Sequence, residues 1–192
     1  MFVLFLLNLD NTFADCPKIL SKDYWGGQAA THIDYVIKPV KYIIIHHTVT
    51  QQCLTENDCS QQLINIQSYH MNDLSLYDIG YNFIIGGDGN IYEGVGWHKE
   101  GAHTYGYNKK SIGVAFIGLF KYLLTIFNAF LDVAPNKKQL EAGQKLIECA
   151  VEKGEVDRTY KLMGARSVSA TESPGLALFR VIQNWRGFTR NA

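Results

Sequence analysis

The chain has 192 residues, 47% apolar and 19% charged, which suits one domain able to bury roughly 70% of its unfolded surface. That composition excludes a disordered, collagen-like or coiled-coil chain. Eighteen Lys and Arg balance eighteen Asp and Glu, so no electrostatic footprint for nucleic acid is present and no nucleic-acid partner is expected.

The first residues, Met-Phe-Val-Leu-Phe-Leu-Leu-Asn-Leu, read as the apolar region of a signal peptide, with a small-x-small site at Thr12 to Ala14. No basic residue precedes the run. A truncated start or a buried strand is the plain alternative. The reading favoured is a shortened signal at 1–14 and a single secreted domain at 15–192. The run Tyr42-Ile43-Ile44-Ile45 predicts a buried central strand ending in His46-His47-Thr48. Ligands of open α/β sheets bind near such strand ends. Residues 57–72 predict a helix with Leu63, Ile64 and Ile66 on its apolar stripe and Asn57 or Asp58 as its cap. Residues 81–85, the turn Gly86-Gly87-Asp88-Gly89 and residues 90–93 predict a hairpin. Residues 111–118 predict a further strand.

Residues 119–131 form an apolar run interrupted by Lys121 and Asn128. A membrane span needs ~20 apolar residues, so no span is expected. The run reads as a core helix, an extended strand, or an exposed contact patch. Residues 136–154 predict an amphipathic helix with Leu140, Gly143, Ile147 and Ala150 on one face and Gly154 at its stop. Residues 161–163 predict a short strand. Ser173 as N-cap and Pro174 at the first turn predict a last helix carrying Phe179, Ile182, Gln183 and Arg186 on one side. The order of elements predicts an α/β domain with a central mixed β-sheet flanked by helices.

The four cysteines are Cys16, Cys53, Cys59 and Cys149. None forms a Cys-x-x-Cys pair, so disulfides fit better than metal or redox use. Cys53 and Cys59 are close enough for a local staple, which would leave Cys16 for Cys149. Spacing alone does not fix the pairing. Closing the long loop would contribute ~4–5 kcal/mol. Oxidised cysteines agree with a secretory start.

Several ordered blocks resemble the peptidoglycan recognition proteins, whose domain is related to zinc amidases of the phage lysozyme type. They include Tyr24-Trp25-Gly26, Ile45-His46-His47-Thr48, Ser68-Tyr69-His70-Met71, Asp78-Ile79-Gly80-Tyr81-Asn82-Phe83, Gly96-Trp97, Gly101-Ala102-His103-Thr104, Ser111-Ile112-Gly113-Val114 and Thr171-Glu172-Ser173-Pro174-Gly175. The resemblance runs from Cys16 to about Arg186. It implies a twisted sheet flanked by helices, a groove for the muramyl stem peptide, and the disulfides Cys16–Cys149 and Cys53–Cys59.

Amidases of this family hold zinc with two histidines and a cysteine, assisted by a tyrosine. A catalytic zinc needs three protein ligands and one open position, where it activates water. The resemblance places His46 at the first ligand and Tyr81 at the assisting tyrosine. Gly164-Ala165-Arg166 stands where amidases have Gly-His-Arg, and Ser173 stands at the cysteine. Alanine cannot bind zinc and serine is a poor substitute for a thiolate. The expectation is therefore no cofactor, no zinc, a vestigial His46 and no amidase activity. Ser173 has a structural task instead, as the helix cap.

Family members contact the muropeptide at positions matching His47, Thr48, His70, Tyr81, His103 and Asn108, all capable of hydrogen bonding. Trp97 supplies an apolar face or is core, and Tyr69 reads as core. Readers of diaminopimelic acid tend to have Gly-Trp where this chain has Ser75-Leu76, and an arginine at Val95. An arginine there clamps the extra carboxylate. Its absence leans toward lysine-type peptidoglycan, although Ser75-Leu76 also departs from the Asn-Phe of lysine readers.

Three functions follow. The first is a secreted, non-catalytic receptor for bacterial peptidoglycan in innate immunity, with other recognition proteins or a serine-protease cascade as partners. The second is an N-acetylmuramoyl-L-alanine amidase, which stoichiometric zinc would revive. The third is an interaction protein acting through surfaces such as 119–131. Tyr81→Ala is expected to weaken muropeptide binding.

Overall fold

The computed structural model of the chain describes residues 16–120, 122–124 and 130–191, with backbone alone at 122–124 and 130–132. The expected signal at 1–14 lies outside these residues. The first strand, β1 (Ile19–Leu20), is short. The β-branched run lies at the middle of β2 (Val40–His47), whose residues from Ile43 onward are buried. A strand covered on both faces reads as a continuous apolar run rather than an alternation.

Helix α1 (Glu56–Ser68) is capped by Thr55, whose hydroxyl accepts the N–H of Asp58 at 3.2 Å. This corrects the expected cap at Asn57 or Asp58. The helix does not run on as α to 72. It widens into one π-helical turn over Tyr69–Asp73, a feature that often marks a functional site. Strands β3 (Phe83–Ile85) and β4 (Ile91–Glu93) form the expected hairpin. Strand β5 (Ser111–Phe116) follows. The apolar run takes the extended alternative where it is described. Strands β6 (Tyr122–Leu124) and β7 (Phe130–Asp132) pair antiparallel.

Helix α2 (Lys137–Glu152) is capped by Asn136 and buries Gly143, Ile147 and Ala150 as expected. The expected strand 161–163 lies in the C-terminal part of a longer one, β8 (Val156–Gly164). The last helix, α3 (Leu176–Ile182), is shorter than expected and begins after Gly175, with no side-chain cap. Ser173 and Pro174 precede it, so Ser173 is not its N-cap. Gln183 and Arg186 lie beyond its end.

The main sheet has the order β1-β4-β3-β5-β2-β8. Only the β3/β4 pair is antiparallel. Alternation along β2 divides its side chains between the faces. Ile43 and Ile45 join Leu146 and Ile147 of α2 and Leu178 and Ile182 of α3 in one core. On the other face Ile84 and Ala115 pack with Leu63 and Ile66 of α1. Ile44 packs there with Met163 and Ala165. Each buried isoleucine contributes roughly 1.5–3 kcal/mol.

Two disulfides fasten the layers. Cys16–Cys149 ties the N-terminal segment to α2, and Cys53–Cys59 ties the loop after β2 to α1. Buried Gln67 on α1 exchanges two hydrogen bonds with the backbone of Gln28 and donates to Asp78 at 2.8 Å. Asp78 also pairs with Lys22. This network holds the Asp78–Tyr81 stretch against α1.

Candidate functional site

The parallel strands β2 and β8 end on one side of the sheet. Beyond their ends, between α1 with its π-helical turn and the loop after β8, lies a groove of about 790 Å³. Such a volume accommodates a peptide or sugar fragment. His46, His47, Thr48, His70, Tyr81 and His103 all line it. Of the sequence-derived candidates, these are brought together across separations of up to 57 residues.

The groove floor is a polar triangle. His46 Nε2 lies 3.2 Å from His103 Nδ1 and 3.1 Å from Thr104 Oγ1, and His103 Nδ1 lies 3.0 Å from the same hydroxyl. Desolvation pushes His103 down to about 3. His46 is held well below its ordinary value by desolvation, then by the neighbouring His103 and His47. Both rings are therefore neutral at physiological pH. His103 stands over Gly113 of β5, where any Cβ would lie 2.4 Å from its ring. Its Nε2 is buried without a hydrogen-bond partner among the described residues.

The neighbouring groups are fixed as firmly. His70 Nδ1 accepts the N–H of Gly80 at 2.9 Å, which places the proton of the neutral ring on Nε2. Burial lowers the pKa of His70, partly opposed by Asp78. His47 Nδ1 accepts from Phe120 N–H at 3.3 Å. Desolvation pushes Tyr81 up to about 12, so its phenol stays a hydrogen-bond donor at all physiological pH. Val49 turns the chain out of β2 with φ of 60°, a strained conformation for a β-branched residue at the groove wall.

The fit of a zinc ion can be judged from these donors. The register sets Ile45 opposite Gly164, so Ala165 follows at the groove beside His46. Ala165 offers no ligand atom. The Ser173 hydroxyl accepts the backbone N–H of His47 at 3.1 Å, and its position is 8% exposed. That hydrogen bond replaces the capping task expected of it. His46 Nε2 is engaged by His103 and Thr104. Among the described residues no three His, Cys, Asp or Glu side chains are arranged to hold a metal ion. This donor set does not fit a catalytic zinc.

The other candidates lie elsewhere. Ser75, Leu76, Val95 and Asn108 line a second concavity of about 260 Å³. The Ile79–Tyr81 stretch stands between the two, since Ile79 lines the smaller and Tyr81 the larger. Asn108 also builds the main site. Its Oδ1 accepts the N–H groups of His103 and Thr104 at 3.1 and 2.8 Å, which fixes the turn bearing both. Trp97 lies outside these concavities and packs on Phe83 with ring centroids 4.2 Å apart, so its role is core. Tyr69 is 54% exposed and lines the groove, which corrects its reading as core. Gln62 and Asn65 of α1, which sequence reasoning missed, share one groove-facing stripe with Tyr69 at the start of the π-helical turn. Their i, i+3, i+7 spacing carried the signal.

Residues 37–176 match the family described as N-acetylmuramoyl-L-alanine amidase. Peptidoglycan-recognition protein 2 of Holotrichia diomphalia is 60% identical over 185 residues, covering 96% of this chain and 94% of that protein. The solved Drosophila peptidoglycan recognition protein SA is 42% identical, with a TM-score of 0.85 over 92% of this chain and 96% of its own. A chain in the solved complex of the recognition proteins LCa and LCx with tracheal cytotoxin is 40% identical, with a TM-score of 0.83 over 90% of this chain and 99% of its own. No helix among the described residues is long and apolar enough to cross a membrane. With 60% identity along nearly the whole chain and the same fold around the groove, the chain belongs to the peptidoglycan-recognition proteins of insect type.

Proposed function

We propose that the protein is a secreted, non-catalytic receptor that binds the muramyl stem peptide of bacterial peptidoglycan and starts an immune response. The observation that carries this reading is the groove itself. Neutral imidazoles, a protonated phenol and threonine hydroxyls converge in a concave site, while Ala165 and Ser173 leave too few donors for zinc. Such groups hydrogen-bond sugar hydroxyls and peptide amides without activating water. The recognition complex with tracheal cytotoxin is a precedent for ligand capture by a related domain.

The ligand preference proposed is the lysine-type stem peptide. Val95 is 8% exposed and has no charge to clamp a carboxylate. Partners downstream are other recognition proteins or a serine-protease cascade. Side-by-side calorimetric titration with lysine-type and diaminopimelic-type muropeptides tests the reading. Tighter binding of the lysine type supports it. Tighter binding of the diaminopimelic type overturns the preference, and binding of neither by folded protein overturns the receptor itself.

A further inference from the structure

The five arginines of the chain all lie between residues 158 and 190. Three of them, Arg166, Arg180 and Arg190, line one concavity of about 460 Å³. It lies on the far side of the turn that follows β8, where Ala165 faces the muropeptide groove and Arg166 faces away. Among the described residues no Asp or Glu is in its lining. The chain as a whole is formally neutral, so this concentration of guanidinium groups is a local departure.

The groups are also positioned. The Arg166 guanidinium stands over the Phe179 ring, 5.4 Å from its centroid, within cation–π range. Arg190 Nη2 donates to Gln183 Oε1 at 3.0 Å, which orients the fork and leaves its other N–H groups unused by that bond. Among the described residues the ion pairs include neither Arg166 nor Arg190. Ser167 adds a hydroxyl, and Leu176 and Phe179 add apolar wall.

We infer that this concavity is a binding site for an organic phosphate, separate from the muropeptide groove. Planar guanidinium forks match phosphate oxygens bidentately. The Arg166 and Arg190 forks and the Ser167 hydroxyl line the same concavity, a donor set suited to the several oxygens of a phosphate ester. The apolar wall suits the carbon side of an ester, and the volume exceeds what inorganic phosphate fills. A soluble phosphate ester, a phosphodiester polymer and a lipid headgroup share this chemistry.

Titration of the full chain with sn-glycerol 3-phosphate, with a poly(glycerol phosphate) oligomer and with phosphatidylglycerol in phosphatidylcholine vesicles separates the sources. Saturable binding is expected in at least one arm, and the tightest arm names the source. Arg166→Gln and Arg190→Gln are each expected to weaken it about tenfold or more, as loss of a charged hydrogen bond does. Arg158→Gln, outside the concavity, is the control and leaves binding unchanged. Muropeptide affinity stays unchanged in all three variants. Binding in no arm overturns the inference. So does wild-type binding by Arg166→Gln and Arg190→Gln, or an equal loss from Arg158→Gln, which marks general charge attraction. Weakened muropeptide binding in Arg166→Gln or Arg190→Gln overturns the separation of the two sites.

Discussion

Replacing Gly113 with alanine tests whether the His103 ring is seated on the sheet as the groove requires. The added methyl would meet His103 Cδ2 at 2.4 Å and Cγ at 2.5 Å, roughly 1 Å inside ordinary contact. The ring cannot slide away freely, because His46 and Thr104 hold its Nδ1. Overpacking of this kind costs about 1–3 kcal/mol. Alanine returns about 0.4–1 kcal/mol by restricting the unfolded chain. The net loss is then about 1–2 kcal/mol, or a fall in Tm of about 2–8 °C for a chain of this size. Calorimetric melting reads the stability, and muropeptide titration reads the groove, where affinity is expected to fall as well. The decisive comparison is the same substitution in a His103→Ala background. With the ring gone, Gly113→Ala becomes neutral or slightly stabilising. An equal cost in both backgrounds would refute the seating argument.

Four further outcomes are expected. Histidines depressed in the fold bind protons in the unfolded chain alone, so stability is present above about pH 6.5 and is lost as pH falls toward the His103 value of about 3. Urea unfolding is expected to show stability level near pH 7 and falling by about 1.4 kcal/mol per pH unit for His103 between about pH 6 and 4.5, and His103→Gln to flatten that fall; a pH-independent stability contradicts the neutral floor. Tyr81→Phe removes the phenol donor and is expected to weaken muropeptide binding about 2- to 10-fold with little change in Tm. Opening Cys16–Cys149 by serine substitution of both cysteines releases a separation of 133 residues, an expected loss of about 5 kcal/mol in the chain-entropy model, against about 2.4 kcal/mol for Cys53–Cys59; equal losses in chemical unfolding contradict that model here. Restoring ligand atoms with Ala165→His and Ser173→Cys together is expected to raise bound zinc from well below one ion per chain to about one by elemental analysis; stoichiometric zinc in the unaltered protein contradicts the reading of its donor set.

The legible parts of the fold were those written in local pattern. The β-branched run gave β2, the Gly-Gly-Asp-Gly turn gave the β3/β4 hairpin, and apolar periodicity with Asn136 gave α2. The family resemblance supplied the disulfide pairing and most of the groove. What escaped depends on partners distant in sequence. Ser173 looked like a helix cap because Ser-Pro precedes an apolar stretch. Its hydroxyl instead serves His47, 126 residues earlier. Asn108 looked like a ligand contact, but it also fixes the turn that carries His103 and Thr104. Gly113 carries no signal inside an apolar strand, because only the folded sheet brings His103 over it. Tyr69 reads as core from the sequence, whereas it opens the π-helical turn and lines the groove. The Thr55 cap is legible in the sequence. Thr-x-x-Asp before a helix is a capping pattern, and the two side chains also meet at 2.7 Å.

Native mass spectrometry of the protein after incubation with a lysine-type muropeptide tests capture without cleavage most directly. The account predicts a one-to-one complex carrying the mass of the intact muropeptide, unchanged on prolonged incubation. Free chain alone, or release of the stem peptide from the muramic acid, would contradict it.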